Sequence, residues 1–117
     1  MNLSVYERII LINILPHEGD FRSLKILREL REDLAFSEEE NAALEFKTED
    51  GGIVQWRKDA DVVKDVQIGE IAHGIIVDTL RQLDRQKKLH ESHMGLYERF
   101  VEGDAVAEAE NHLRAVN

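Results

Sequence analysis

Apolar residues crowd most densely into Val5–Leu15, VYERIILINIL, where eight of eleven positions are apolar and only Asn13 is polar from Ile9 onward. At about 100° per residue, Ile9, Ile10, Leu11, Ile12, Ile14 and Leu15 point almost all the way round a helix. That is the pattern of a buried helix covered on several sides. The stretch is too short to cross a bilayer, which takes about 20 apolar residues. It reads as the central post of the core. Asn13 is expected to be a buried amide with hydrogen-bond partners, the alternative being that the helix reaches a groove or a subunit contact there.

Local signals punctuate the chain on either side. Ser4 with Glu7 three residues on has the spacing of a capping box, and Pro16 pushes Leu15 out of helical angles. After the turn His17-Glu18-Gly19-Asp20, Leu24, Leu27, Leu30 and Leu34 recur at three or four and predict a helix over Phe21–Ala35. Arg22, Lys25, Arg28 and Arg31 lie off that stripe, interleaved with Glu29, Glu32 and Asp33. They suit a solvated face with the i,i+4 pairs Lys25–Glu29 and Arg28–Glu32, against the sharper reading of an anion-binding strip. Ser37-Glu38-Glu39-Glu40 predicts a new short helix, Glu38–Leu44, on capping and dipole grounds. These two terms explain the three glutamates without a metal.

Phe46 and Thr48, a Gly51-Gly52 turn, then Ile53, Val54 and Trp56 predict a β-hairpin. Trp56 is expected to be half-buried with its N–H seeking a partner, and Val66-Gln67-Ile68 is expected to add a third strand beside the hairpin. A long helix from Gly69 or Glu70 to about Lys88 carries a core face of Ile71, Ala72, Ile75, Ile76, Leu80 and Leu83. Gly74 inside it costs up to about 1 kcal/mol relative to alanine and is expected to mark close packing against the first helix. Ser92–Val101 predicts one more helix, ended by Gly103. Beyond a compact unit of residues 1–103, residues 104–117 are expected to form an acidic amphipathic tail with Val106, Ala109, Leu113 and Val116 at near-helical spacing: a frayed helix, an arm, or a segment that orders on a partner.

Composition narrows the function. The 117 residues suit one domain able to bury a core, and the order of elements (three helices, then a hairpin) is that of a winged helix. The fold class is α+β: four to five helices around a buried N-terminal helix, with a small antiparallel hairpin. The net charge is −9, and residues 37–65 hold nine Asp/Glu against four Lys/Arg. Such a chain suits a protein partner with a basic face better than nucleic acid or an anionic membrane. A winged helix that reads DNA needs a basic third helix, and here that helix carries Glu38, Glu39 and Glu40. With no cysteine, disulfides, thiolate zinc sites and thiol catalysis are excluded, and a reducing cytoplasm is the natural compartment. Glu7 ahead of the apolar run, with no small-residue cleavage site behind it, reads as mature protein and not as a leader.

Chemistry-bearing constellations are few. His90 and His93 have a spacing that can place two imidazoles on one helical face, but this is not HExxH and no third ligand is set by spacing. The metal-dependent hydrolase they would suggest therefore ranks below a surface pair. His73 reads as a hydrogen-bonded structural histidine. No G-x-S-x-G elbow or phosphate-cradling loop occurs, so no catalytic, cofactor or metal residue is assigned.

The opening LSVYERIILINILPHEGDF, followed by SLKILRELREDLAFSEEE, resembles small uncharacterised proteins of phage, prophage and environmental bacterial genomes. The later DTLRQLDRQKKLHESHMGLYERFV is similar to the rest of that type of chain. Together these cover about half the sequence and include no catalytic motif. The resemblance implies a phage-like or mobile-element setting and no activity or site residue.

The function expected from these features is that of a non-enzymatic accessory protein acting by protein–protein contact or self-association, with no cofactor. Its candidate interface residues are Trp56, Tyr97, Phe100, Val106 and Leu113. The alternative is a winged-helix regulator binding nucleic acid through Arg22, Lys25, Arg28 and Arg31.

Overall fold

Arg8, a charged residue in the middle of the most apolar stretch, is completely buried (0% exposed) and organises the helical half of the fold. The computed structural model describes residues 1–103, so the tail with Val106 and Leu113 lies outside the described residues. The elements run β1 (Asn2–Leu3), α1 (Val5–Ile14), α2 (Phe21–Leu34), α3 (Glu38–Leu44), β2 (Lys47–Thr48), β3 (Val54–Gln55), β4 (Lys64–Asp65), α4 (Glu70–Arg85) and α5 (Met94–Tyr97). A wider π-helical turn, Glu98–Glu102, continues α5. The class is α+β, in a single compact unit.

The helix starts follow their sequence signals. Glu7 N–H donates to Ser4 Oγ (3.1 Å) and Ser4 N–H donates to Glu7 Oε1 (3.0 Å). The same reciprocal box closes α3, with 3.1 Å bonds both ways between Ser37 and Glu40. Asp20 caps α2 by accepting from Ser23 N–H at 2.7 Å. Each box satisfies N–H groups that the first helical turn leaves without a partner.

α1 is not buried all round. Val5, Arg8, Leu11 and the following Leu15 are buried, at helical spacing, while Ile9, Ile10, Ile12 and Ile14 are half-buried and Asn13 is exposed. One face of α1 meets Leu27, Leu30 and Leu34 of α2 in the core cluster, and the opposite face is only partly covered. α4 is turned relative to expectation. Ala72, Ile76, Val77 and Leu80 face inward, and Ile71 is 43% exposed. A Cβ built on Gly74 meets no heavy atom of another element within 4 Å among the described residues, so the glycine marks open space instead of close helix packing.

Among the described residues, two separate two-stranded sheets replace the single expected one. β2 and β3 pair antiparallel as the hairpin, Lys47 opposite Gln55 and Thr48 opposite Val54. Its turn depends on Gly51 (φ 88°) and Gly52 (φ 78°), a left-handed conformation that side chains rarely adopt. The third strand is Lys64–Asp65, not Val66–Ile68, and it pairs with β1 instead of the hairpin, Asn2 opposite Asp65. Val66 N–H continues the ladder by donating to Met1 O (2.8 Å), leaving the Val66 side chain in the core.

The last described segment closes over α4. Leu96, Phe100 and Val101 are buried, and Arg99 Nη1 reaches Glu7 Oε2 of α1 at 2.6 Å. Gly103, the last described residue, has helical angles (φ −60°, ψ −40°).

Candidate interaction surface between α1, α3 and the hairpin

The uncovered side of α1 forms one wall of an open groove. Ile9, Ile12 and Asn13 of α1, Phe36 and Asn41 around the start of α3, and Phe46 and Val54 of the hairpin line a hollow of about 280 Å³. Two aromatic contacts hold the hairpin against this helical wall: the Phe36 and Phe46 rings stand edge to face at 5.0 Å, and Trp56 lies 6.5 Å from Tyr6 of α1, while Phe46 packs 6.1 Å from Trp56 across the hairpin. Such edge-to-face pairs favour a defined geometry over a loose apolar cluster.

Behind the groove lies the buried guanidinium. Arg8 Nε donates to Leu34 O (3.1 Å) and Nη2 to Ala35 O (2.8 Å), the carbonyls at the end of α2. Its Nη1 and Nη2 meet Glu40 Oε2 and Oε1 at 2.6 and 3.3 Å, and its charge sits 4.0 Å over the Phe36 ring. A guanidinium is suited to this place because its planar fork can serve several acceptors at once. Arg8 therefore sets the end of α2, the start of α3 and the position of Phe36. The Arg8 bond holds the Glu40 carboxyl down at about 2, against partial burial that pushes it up.

The sequence reading missed Arg8, although a signal existed. Residue 8 lies three from Val5 and three from Leu11, in phase with the buried positions of α1. A charge in that phase must find partners inside the fold.

Trp56 is half-buried, as expected. Its Nε1–H donates to Asp61 Oδ2 (3.1 Å), and Lys58 Nζ lies 3.2 Å from the ring centroid. Asp61 Oδ1 also accepts from Val5 N–H at 3.4 Å, so the tryptophan is tied to the start of α1. Tyr97 is half-buried, with its hydroxyl 3.3 Å from Asp84 Oδ2. Phe100 is a core residue (0% exposed) with its ring 5.3 Å from that of His73, so it offers no contact surface in this fold. Asn13 corrects the expectation of a buried amide: it is exposed at the groove.

His90 and His93 do come together, at 6.1 Å between rings, but as a cap. His90 N–H donates to His93 Nδ1 (2.9 Å) and Ser92 N–H to His90 Nδ1 (3.3 Å). Burial, and secondarily the nearby His90, lower the His93 pKa, which favours the neutral ring that accepts this bond. Among the described residues no group of three or more His, Cys, Asp or Glu is placed to hold a metal ion.

On the far side of α2, Phe21, Leu24, Lys25, Arg28 and Arg31 border a second hollow of about 340 Å³. Arg31 is committed within the fold, since its Nη2 donates to Leu15 O (3.3 Å) and to Pro16 O. Lys25 and Arg28 are exposed, as is Phe21, at 82%. No described helix is long and apolar enough to cross a membrane. Comparison with protein-family models, curated proteins and solved structures gives no match to this chain.

Proposed function

We propose that this protein is a non-enzymatic accessory protein that acts by binding another polypeptide chain through the groove between α1, α3 and the hairpin. The observation that carries the reading is the groove itself. It leaves isoleucines of α1 and the apolar edge of the hairpin uncovered beside two amides, Asn13 and Asn41. Apolar surface gathered in a concave site, with a few polar groups to orient what enters, is the usual composition of a binding site. The rigid Arg8–Glu40 anchor beneath it lowers the entropic cost of binding by presenting the wall already formed. A cysteine-free, acidic chain suits such work in a reducing cytoplasm.

The nucleic-acid alternative has less support, because α3 presents carboxylates where a reading helix needs cations. The test is retention of proteins from a cell extract, and self-association in solution, for the wild type and Val54→Lys. Val54 lines the groove at its exposed edge, so the variant should fold normally by circular dichroism and lose the interaction. Identical profiles for the two proteins would remove the groove as the binding site.

A further inference from the structure

We infer that the groove is occupied by a second copy of this chain, which inserts Phe21 and its flanking cations from the outer face of α2. This inference rests on the groove reading above and names its partner.

Phe21 is the most exposed large apolar side chain among the described residues, at 82%. It stands at the first position of α2, with Lys25 and Arg28 following at i+4 and i+7, so the three share one side of the helix. A phenyl ring held out beside two cations fits an apolar slot rimmed by carboxylates.

The groove has that rim. Glu38 lies one turn before Asn41 on α3 and shares its face. Glu49 and Asp50 form the hairpin tip next to Val54 and are exposed. The segment that builds this side, residues 37–65, holds nine acids against four bases. Four of those acids are already engaged, Glu40 with Arg8, Asp59 with Arg57, Asp61 with Trp56 and Asp65 with the amine of Met1, and none of the four is among Glu38, Glu49 and Asp50.

The two surfaces share no lining residue, so one copy can give its Phe21 to a neighbour while receiving another. Such a contact is head to tail. It joins different patches on the two copies, and it grows into a ring or an open chain instead of stopping at a symmetric dimer. Charge complementarity of this kind orients the encounter and disfavours the groove-to-groove alternative, which would set acid against acid.

The experiment uses the full chain and two substituted variants. The strip variant is Phe21→Ser/Lys25→Gln/Arg28→Gln, and the groove variant is Glu49→Lys/Asp50→Lys/Val54→Lys. Light scattering over a dilution series should show the wild-type mass rising above the 13.5 kDa protomer with concentration. Each variant alone, its fold checked by circular dichroism, should stay at protomer mass. Their equimolar mixture should form a dimer and nothing larger, because only one intact strip and one intact groove are available. A wild type that is monomeric throughout, a variant that assembles alone, or a mixture that stays monomeric would each overturn the inference. If the wild type stays monomeric yet retains a different protein that Val54→Lys releases, the groove reading survives and only its occupant is wrong. If neither is seen, both fall.

Discussion

Arg8 Nη1 lies 2.6 Å from Glu40 Oε2, joining the first helix to the third across the end of the second. The arginine side chain is fully buried and that of its partner is 23% exposed, so the pair sits at the margin of the core. Its remaining donors serve carbonyls at the α2 C-terminus, where a cation also meets the negative end of the helix dipole.

Removing one partner of such a pair leaves the other uncompensated. Arg8→Met is expected to cost about 3–5 kcal/mol, a large share of the roughly 5–15 kcal/mol that holds a small domain folded. Glu40→Gln should cost less, about 1–3 kcal/mol, because its amide oxygen can still accept from the guanidinium. In urea titrations the double variant should fall short of the summed losses by about 0.5–3 kcal/mol. Strict additivity would mean that the two side chains do not act together in solution.

The same pair sets an acid limit. Glu40 is held at about 2 in the folded protein against an ordinary 4.5. Between those values the unfolded chain binds the proton and the folded one does not, so stability falls with falling pH. The contribution is fully present above about pH 4.5 and is lost progressively towards pH 2; it amounts to about 2–3 kcal/mol. Glu7 moves in the same direction: burial raises its pKa, but bonds from Ser4 N–H and Arg99 outweigh that and lower it overall. Glu40→Gln should therefore flatten the stability–pH curve between pH 4.5 and 2. A variant curve parallel to the wild type across that window would refute the assignment.

Gly74 offers a gain. It lies inside α4 with open space where a Cβ would go. Gly74→Ala is expected to stabilise the protein by up to about 1 kcal/mol, since the unfolded chain loses freedom and the helix loses a poor former. A lowered melting temperature would show that the space is filled in solution by something that needs the glycine.

Lys87 is the counterpart at the end of that helix. Its φ of 55° places a lysine in the left-handed region. Lys88 N–H bonds Leu83 O (2.8 Å) and Lys87 N–H bonds Asp84 O (2.9 Å), the paired closure that usually ends on glycine. Lys87→Gly should stabilise by about 1 kcal/mol, because a side chain in that conformation costs roughly 1–2 kcal/mol. Thermal denaturation of the variant, compared with Lys88→Gly as a control outside that geometry, decides it.

Much of the secondary structure was legible because its causes are local. Ser4 with Glu7 and Ser37 with Glu40 bracket helix starts by bonds spanning three residues, and Gly51-Gly52 allows a turn whatever surrounds it. The candidate surface was less legible. The half-burial of Trp56 is legible because one aromatic in an alternating strand has few other options. The full burial of Phe100 is not, because a stripe of apolar residues does not say which neighbour covers it.

Sequence alone determined where the first four helices start, the hairpin turn, the acidic middle and the absence of thiol chemistry, since each follows from residue type and spacing over a few positions. Tertiary structure alone decided that α1 is half-covered, that Asn13 faces a groove, that Lys64–Asp65 pairs with Asn2–Leu3, and that Arg8 is the buried tie. Those outcomes depend on which surfaces meet across the fold, 32 residues apart for Arg8 and Glu40, and periodicity along one helix carries no information about its partner's position.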